Sequence, residues 1–211
     1  MLCSLTDLKT MLGISAEDTT QDAKLNLIIK GVSAKIEGFL GYKLGRATYT
    51  EELHNVNCRQ LLQLNHFPVQ SVSSVQRNGE EITDFKLIPE FTRWGRLYKG
   101  DGWTGAIWTR GFTHDVVSGA WEITVSYIAG YYLPGEMGYL EGAESSLPYD
   151  IYTAALQSCI LEYNMSKENT YGLKAHSEGQ ISDTYGDASS GLGLSEGVKL
   201  ALAKYVYYGV A

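Results

Sequence analysis

The stretch HFPVQSVSSVQRNGEEITDF, residues 66–85, decides the fold. Val69, Val72 and Val75 recur every third residue, close to a helical stripe. Yet Pro68 stands near the start of the run, and Asn78-Gly79 near its end is a strong hairpin signal. Read with period two, Phe67, Val69 and Val75 share one face with Ser71 and Ser73 between them, and Val72 falls on the other. The serines argue against a helix interior, because their hydroxyls compete for backbone hydrogen bonds. Proline is tolerated at a strand start or edge, and Asn-Gly adopts the positive φ angles of a type I′ turn. The stretch therefore reads as a hairpin.

Outward from it, residues 46–130 break into short runs with β-branched and aromatic residues, most of them separated by Gly, Asn, Asp or Pro. In WEITVSYIAG, Trp121, Ile123, Val125 and Tyr127 alternate strictly with Glu122, Thr124 and Ser126, the mark of a half-buried strand. Helical pattern flanks this region. SLTDLKTMLG has a possible N-cap at Ser4 or Thr6 and a stop at Gly13. A longer helix, capped at Thr19, Thr20 or Asp22, carries Leu25, Ile28, Ile29, Val32, Ile36, Phe39 and Leu40 on one stripe. After a linker with Pro134, Pro148 opens a helix whose stripe includes Ile151, Ala155, Leu156, Cys159, Ile160 and Tyr163. A Gly- and Ser-rich loop follows, with a candidate hairpin near HSEGQISDTYG, and Ser195 caps a last helix.

The expected fold is α+β: a small helical bundle from residues 1–45 and 146–211, an antiparallel β domain inserted at 46–130, and a linker at 131–145. No helical stripe is stable alone, so the helical pieces must pack together.

The 211 residues carry a net charge of −7 and no basic stripe, which disfavours gripping phosphates. No apolar run reaches the roughly 18 residues of a membrane span, and the N-terminus lacks the pattern of a secretory signal. The three cysteines, Cys3, Cys58 and Cys159, are odd in number and far apart, which reads as buried or part-exposed thiols rather than a disulfide framework.

Candidate chemistry is thin. His54, His66, His114 and His176 share no zinc-ligand spacing. His114-Asp115 has no nucleophile elbow beside it, and KGDGWTG lacks the periodic ligands of a calcium loop. GLGLSEG near residue 191 has neither the preceding strand nor the Gly-Lys-Ser/Thr of a phosphate loop. No catalytic residue, metal site or cofactor is expected.

Aromatic content is the distinctive feature: 15 Tyr, 4 Trp and 5 Phe. Such rings suit protein interfaces. The terminal YVYYGVA places Tyr205, Tyr207, Tyr208 and Val210 as candidates for docking, onto the chain's own core or onto a partner. Trp103, Trp108, Phe112 and Tyr185 are expected on exposed interaction loops. A carbohydrate-binding surface is the alternative reading of the Trp- and Tyr-rich region 94–121.

Several motifs, in order, resemble one family. The opening LTDLKTMLGI is followed by a long helix containing Ile36, Glu37, Gly38, Phe39, Leu40 and Gly41. Then come Pro68, Val69, Ser71, Val72, Ser74, Val75, Asn78 and Gly79, and a strand with Val125, Tyr127, Ala129, Gly130 and Tyr131. Pro148, Asp150 and Ala154 to Leu156 open the next helix, and Ser177, Glu178, Gly179, Ser182, Tyr185 and Gly186 form a late loop. This order resembles the head–tail connector (adaptor) proteins of tailed bacteriophages. The longer 131–148 link and the 103–120 loop depart from that pattern.

The resemblance implies a structural, non-catalytic virion protein, made in the host bacterial cytoplasm and placed in the neck. It implies a ring of copies, twelve-fold to match the portal vertex, that docks the portal protein above and a tail-completion or stopper protein below. DNA would be a partner only by passage through the lumen. Another neck or tail-completion component is the nearest alternative.

Overall fold

The computed structural model describes residues 1–55, 60–77, 79–103, 122–168, 175–178, 181–184 and 193–207. The fold is α+β, as the alternating periodicities predict. The chain divides into two compact units, one formed by residues 1–42 with 132–211 and the other by residues 43–131.

The first unit is helical. Helix α1 (Leu5–Leu12) starts at Ser4, whose Oγ accepts from the Asp7 N–H at 3.0 Å, and stops at Gly13. Helix α2 (Asp22–Leu40) has Gln21 at its N-cap, with no side-chain capping bond. The expectation of a Thr or Asp cap is corrected here. Asp18 accepts from Thr20, and Asp22 lies one position inside the helix, where it pairs with Lys9 at 2.6 Å. The buried stripe of α2 is Leu25, Ile29, Val32, Ile36 and Leu40. It packs on helix α4 (Tyr149–Glu168), which buries Ile151, Ala154, Ala155 and Cys159. Lys35 and Glu162 form an ion pair between these two helices. Cys3 and Cys159 are buried free thiols with sulfurs 3.8 Å apart.

The second unit is a β module. Strands β1 (Ala47–Asn55), β6 (Glu122–Ala129), β3 (Val69–Arg77) and β4 (Glu80–Glu81) form an antiparallel sheet in the order β1-β6-β3-β4. The opening stretch is indeed a hairpin. Arg77 pairs with Glu80, and Gly79 before the return strand sits at φ 84°. Strands β2 (Leu61–Gln63) and β5 (Arg96–Tyr98) make a second small sheet, and a one-turn helix α3 (Pro89–Thr92) precedes β5. The core gathers Leu62, Leu64, Val75, Leu97, Trp103, Ile123, Val125 and Tyr127.

A bulge in β1 reverses its inward parity. Tyr49 opposes Tyr127 but Glu52 opposes Val125, so Thr50 and Glu51 together face one residue. Glu51 sits at φ 50° and its N–H donates to Ser126 Oγ at 3.0 Å. Before the bulge, odd-numbered residues point inward; after it, Glu52 and His54 do.

Where the chain enters and leaves this unit, its two backbone segments are hydrogen-bonded. The Arg46 N–H donates to the Tyr131 carbonyl at 2.9 Å, and the Tyr131 N–H to the Leu44 carbonyl at 2.7 Å. Gly130, at φ 93°, makes this approach possible, since a Cβ there would lie 2.4 Å from the Gly45 carbonyl oxygen.

Strands β7 (Ala175–Glu178) and β8 (Ile181–Thr184) pair as the late hairpin, and helix α5 (Glu196–Leu202) is capped by Ser195 Oγ. No described helix is long and apolar enough to cross a membrane.

Candidate interaction surface

The expected interface residues divide into three groups. Trp103 is corrected: it is 0% exposed. The Gly102 N–H donates to the Lys99 carbonyl at 3.0 Å, and the closed turn drives Trp103 back into the β core. There its Nε1–H donates to the carbonyls of Gln60 and Leu97, at 3.0 and 3.2 Å, and its ring packs near Phe85. A tryptophan satisfied in this way is a core residue rather than a contact for a partner. Trp108, Phe112, Tyr185, Tyr208 and Val210 lie outside the described residues.

Tyr205 and Tyr207 belong to the helical unit's own packing. Tyr205 is buried, with its hydroxyl 3.4 Å from the Asp150 carboxylate. Lys204 also reaches Asp150, and that bond and charge hold the carboxyl below its ordinary range. The Tyr207 N–H donates to the Leu40 carbonyl at 3.0 Å, satisfying one of the orphan acceptors at the end of α2. Tyr205 thus leaves little ring to offer a neighbour, while Tyr207 stays half-buried.

The surface that the structure does open was not evident in the sequence. It is a groove of about 330 Å³ on the helical unit. Helix α1 contributes Asp7, Thr10 and Met11; α4 contributes Tyr149, Tyr152 and Leu156; the segment before α4 contributes Pro134, Tyr139 and Glu141. These positions come from two distant stretches, 7–11 and 134–156, so no single local motif announces them.

The segment before α4 holds its shape through bonds donated by its backbone N–H groups to its own side chains and carbonyls. The Leu133 N–H donates to the Glu136 carboxylate at 3.0 Å, the Leu140 N–H to Ser146 Oγ at 2.9 Å, and the Leu147 N–H to the Tyr132 carbonyl at 3.1 Å. Leu133 and Leu147 are buried beneath it, whereas Met137 is 96% and Leu140 68% exposed. With Met11 and Tyr149 also exposed, the groove and its surroundings form an apolar surface edged by acid. Asp7 is hydrogen-bonded by the Ser4 and Tyr152 hydroxyls, and these bonds hold its carboxyl below its ordinary range. It stays ionised. Contiguous apolar surface of this kind marks interaction sites on soluble proteins.

The β unit carries a polar cluster. Glu52 accepts from the Tyr127 hydroxyl at 2.9 Å and from the Asn65 amide. His54 Nε2 and His66 Nε2 lie 3.5 and 3.7 Å from the same carboxylate, and the His66 ring stacks on Tyr49 at 3.8 Å. His54 Nε2 is buried without a hydrogen bond, and burial pushes the imidazole pKa down. Among the described residues no group of three His, Cys, Asp or Glu side chains is arranged to hold a metal ion.

The helical unit thus presents an open groove edged by acid. The model of the head completion protein family matches residues 1–104, which cover α1, α2 and the β unit as far as Trp103. A chain from the neck of an empty GTA particle, determined with C6 symmetry, has the same fold. Its TM-score is 0.52 at 16% identity, over 97% of this chain and 89% of that one. A chain from the virion of a native gene transfer agent (GTA) particle matches with TM-score 0.46 at 16% identity, over 97% and 89% of the two chains. One from a native GTA neck, determined with C12 symmetry, gives 0.44 at 15% identity, over 90% and 85%. No curated protein sequence matches. The resemblance to phage head–tail connectors, drawn from the order of motifs, is therefore met by an independent family match and by a fold match over nearly the whole chain.

Proposed function

We propose that this chain is a structural subunit of the neck of a tailed-phage-like particle, acting in head completion as a head–tail connector. The observation that carries this reading is the head completion family match over residues 1–104. The fold shared with a GTA neck chain supports it.

In this reading the chain forms a ring beneath the portal, with twelve copies to match the portal vertex. The ring extends the DNA channel and presents a platform to a tail-completion or stopper protein. The net charge of −7 suits a wall past which DNA slides, because like charge repels phosphate. Rotational symmetry requires a heterologous contact between two different patches on each subunit. The role is mechanical, and no bond is made or broken.

Cryo-electron microscopy of assembled particles tests it. Density for this chain between head and tail is the expected result. A particle complete at the neck without this chain would refute the proposal.

A further inference from the structure

We infer that the acid-edged groove receives the Leu27 ridge of α2 from a second copy of this chain. The inference rests on the ring reading above and names the two patches that would make the ring contact.

The groove sets the chemistry of its occupant. Its walls are apolar at Met11, Tyr149 and Leu156, and it carries acid at Asp7 and Glu141. An apolar side chain with cations beside it is the complement. Leu27 meets that description. It is 71% exposed and lies off the buried stripe of α2. Lys24 and Lys30 stand three residues to either side of it, on the same outward face. Ala23, Gly31 and Ala34 are exposed alongside, and their small side chains let another surface approach the helix closely.

Leu200 is the competing ridge, at 80% exposure with Lys199 and Lys204 near it. Those cations are already engaged, Lys199 by Glu196 and Lys204 by Asp150. Lys30 makes no ion pair among the described residues, and Lys24 rests 5.2 Å over the Tyr163 ring. The Leu27 ridge is therefore the better match in charge. Ridge and groove share no residue, so a copy that gives its ridge to one neighbour still offers its groove to another. That is the repeating, head-to-tail contact from which rings close.

The test is a disulfide trap in assembled particles. The doubly substituted chain, Leu27→Cys with Met11→Cys, is produced in the particle, oxidised, and run on a non-reducing gel. Each single substitution serves as a control for the chain's own cysteines. A ladder of covalent multimers from the double variant alone is the expected result. Particles that contain the chain but yield no ladder overturn the inference and leave the neck assignment standing. Complete wild-type particles that lack the chain overturn the neck assignment itself. A crosslink from Met11→Cys to another virion protein assigns the groove to that partner and refutes self-docking.

A charge exchange supplies the second arm. Lys30→Glu and Glu141→Lys each lower the yield of complete particles about tenfold or more, since every contact around the ring then faces like charge. Producing the two variants together restores assembly, because the introduced acid meets the introduced base at one contact and Lys30 meets Glu141 at the next. Failure of the mixture to restore assembly, with both variants folded, counts against the pairing.

Discussion

The Tyr127 hydroxyl donates to a Glu52 carboxylate oxygen at 2.9 Å, and the same hydroxyl oxygen accepts from the His66 N–H at 3.2 Å. Burial and the neighbouring carboxylate push the phenol pKa well up, so the proton stays on the tyrosine. Tyr127 is 0% exposed and central to the β core. Tyr127→Phe keeps the ring but strips a partner from both Glu52 and His66. We expect a loss of about 1–3 kcal/mol of stability, read as a lower urea midpoint at unchanged slope. An unchanged midpoint would show that water replaces the hydroxyl.

His54 makes the stability of the β unit depend on pH. Burial holds its imidazole below the ordinary value of 6.5, against the opposing pull of Glu52 and a hydrogen bond with the Gln63 backbone. The unfolded chain therefore binds the proton more readily than the folded one. Stability falls as pH drops through 6.5 and levels off below the folded pKa. Glu52, His66 and Tyr127 act on the group and remain in a His54→Gln variant. The difference between the two chains' unfolding midpoints, measured from neutral to mildly acid pH, should narrow with acidification. A constant difference would mean that His54 does not titrate in this range.

Gly130 is predicted to be intolerant of any side chain. A Cβ would meet the Gly45 carbonyl oxygen at 2.4 Å and the Arg46 nitrogen at 2.9 Å, both backbone atoms that cannot step aside. Gly130→Ala should lower stability by about 2 kcal/mol or more. Gly142→Ala, with positive φ but open space around it, should lose less. Thermal unfolding of the two variants side by side checks the ranking.

Trp103→Ala separates a core tryptophan from a contact residue. Emptying this site should lower stability by about 3–5 kcal/mol, seen in the thermal midpoint of the isolated chain. A loop residue reserved for a partner would leave that midpoint where it was. Sugar titration followed by tryptophan emission should show no shift from this buried ring.

Cys3 and Cys159 should resist a thiol reagent in the folded chain and react on unfolding. Both are buried, which closes them to the reagent while the fold is intact. Rapid modification in native buffer, in a chain carrying Cys58→Ser, would contradict the packing of α4 against the N-terminal segment.

Local periodicity made much of this fold legible. The α2 stripe and the alternation around Val125 each reflect a face that one layer of neighbours buries, and such faces write themselves into sequence. Trp103 did not, because its burial depends on a turn at Lys99–Gly102 whose direction the composition leaves open. The β1 bulge did not either. Glu51 and Glu52 look like two solvent-facing acids, yet one extra residue sends Glu52 inward to Tyr127. The groove was hidden because its walls join the N-terminal helix to a stretch more than a hundred residues further on, at 134–156.

The stem at Arg46 and Tyr131 has a consequence for how this protein can change. The chain enters and leaves the β module through two adjacent, hydrogen-bonded segments. Ends held so close make little demand on closure entropy, and they define a cassette. A module of different length or surface, closed by the same two segments, is expected to leave the helical unit's own packing intact.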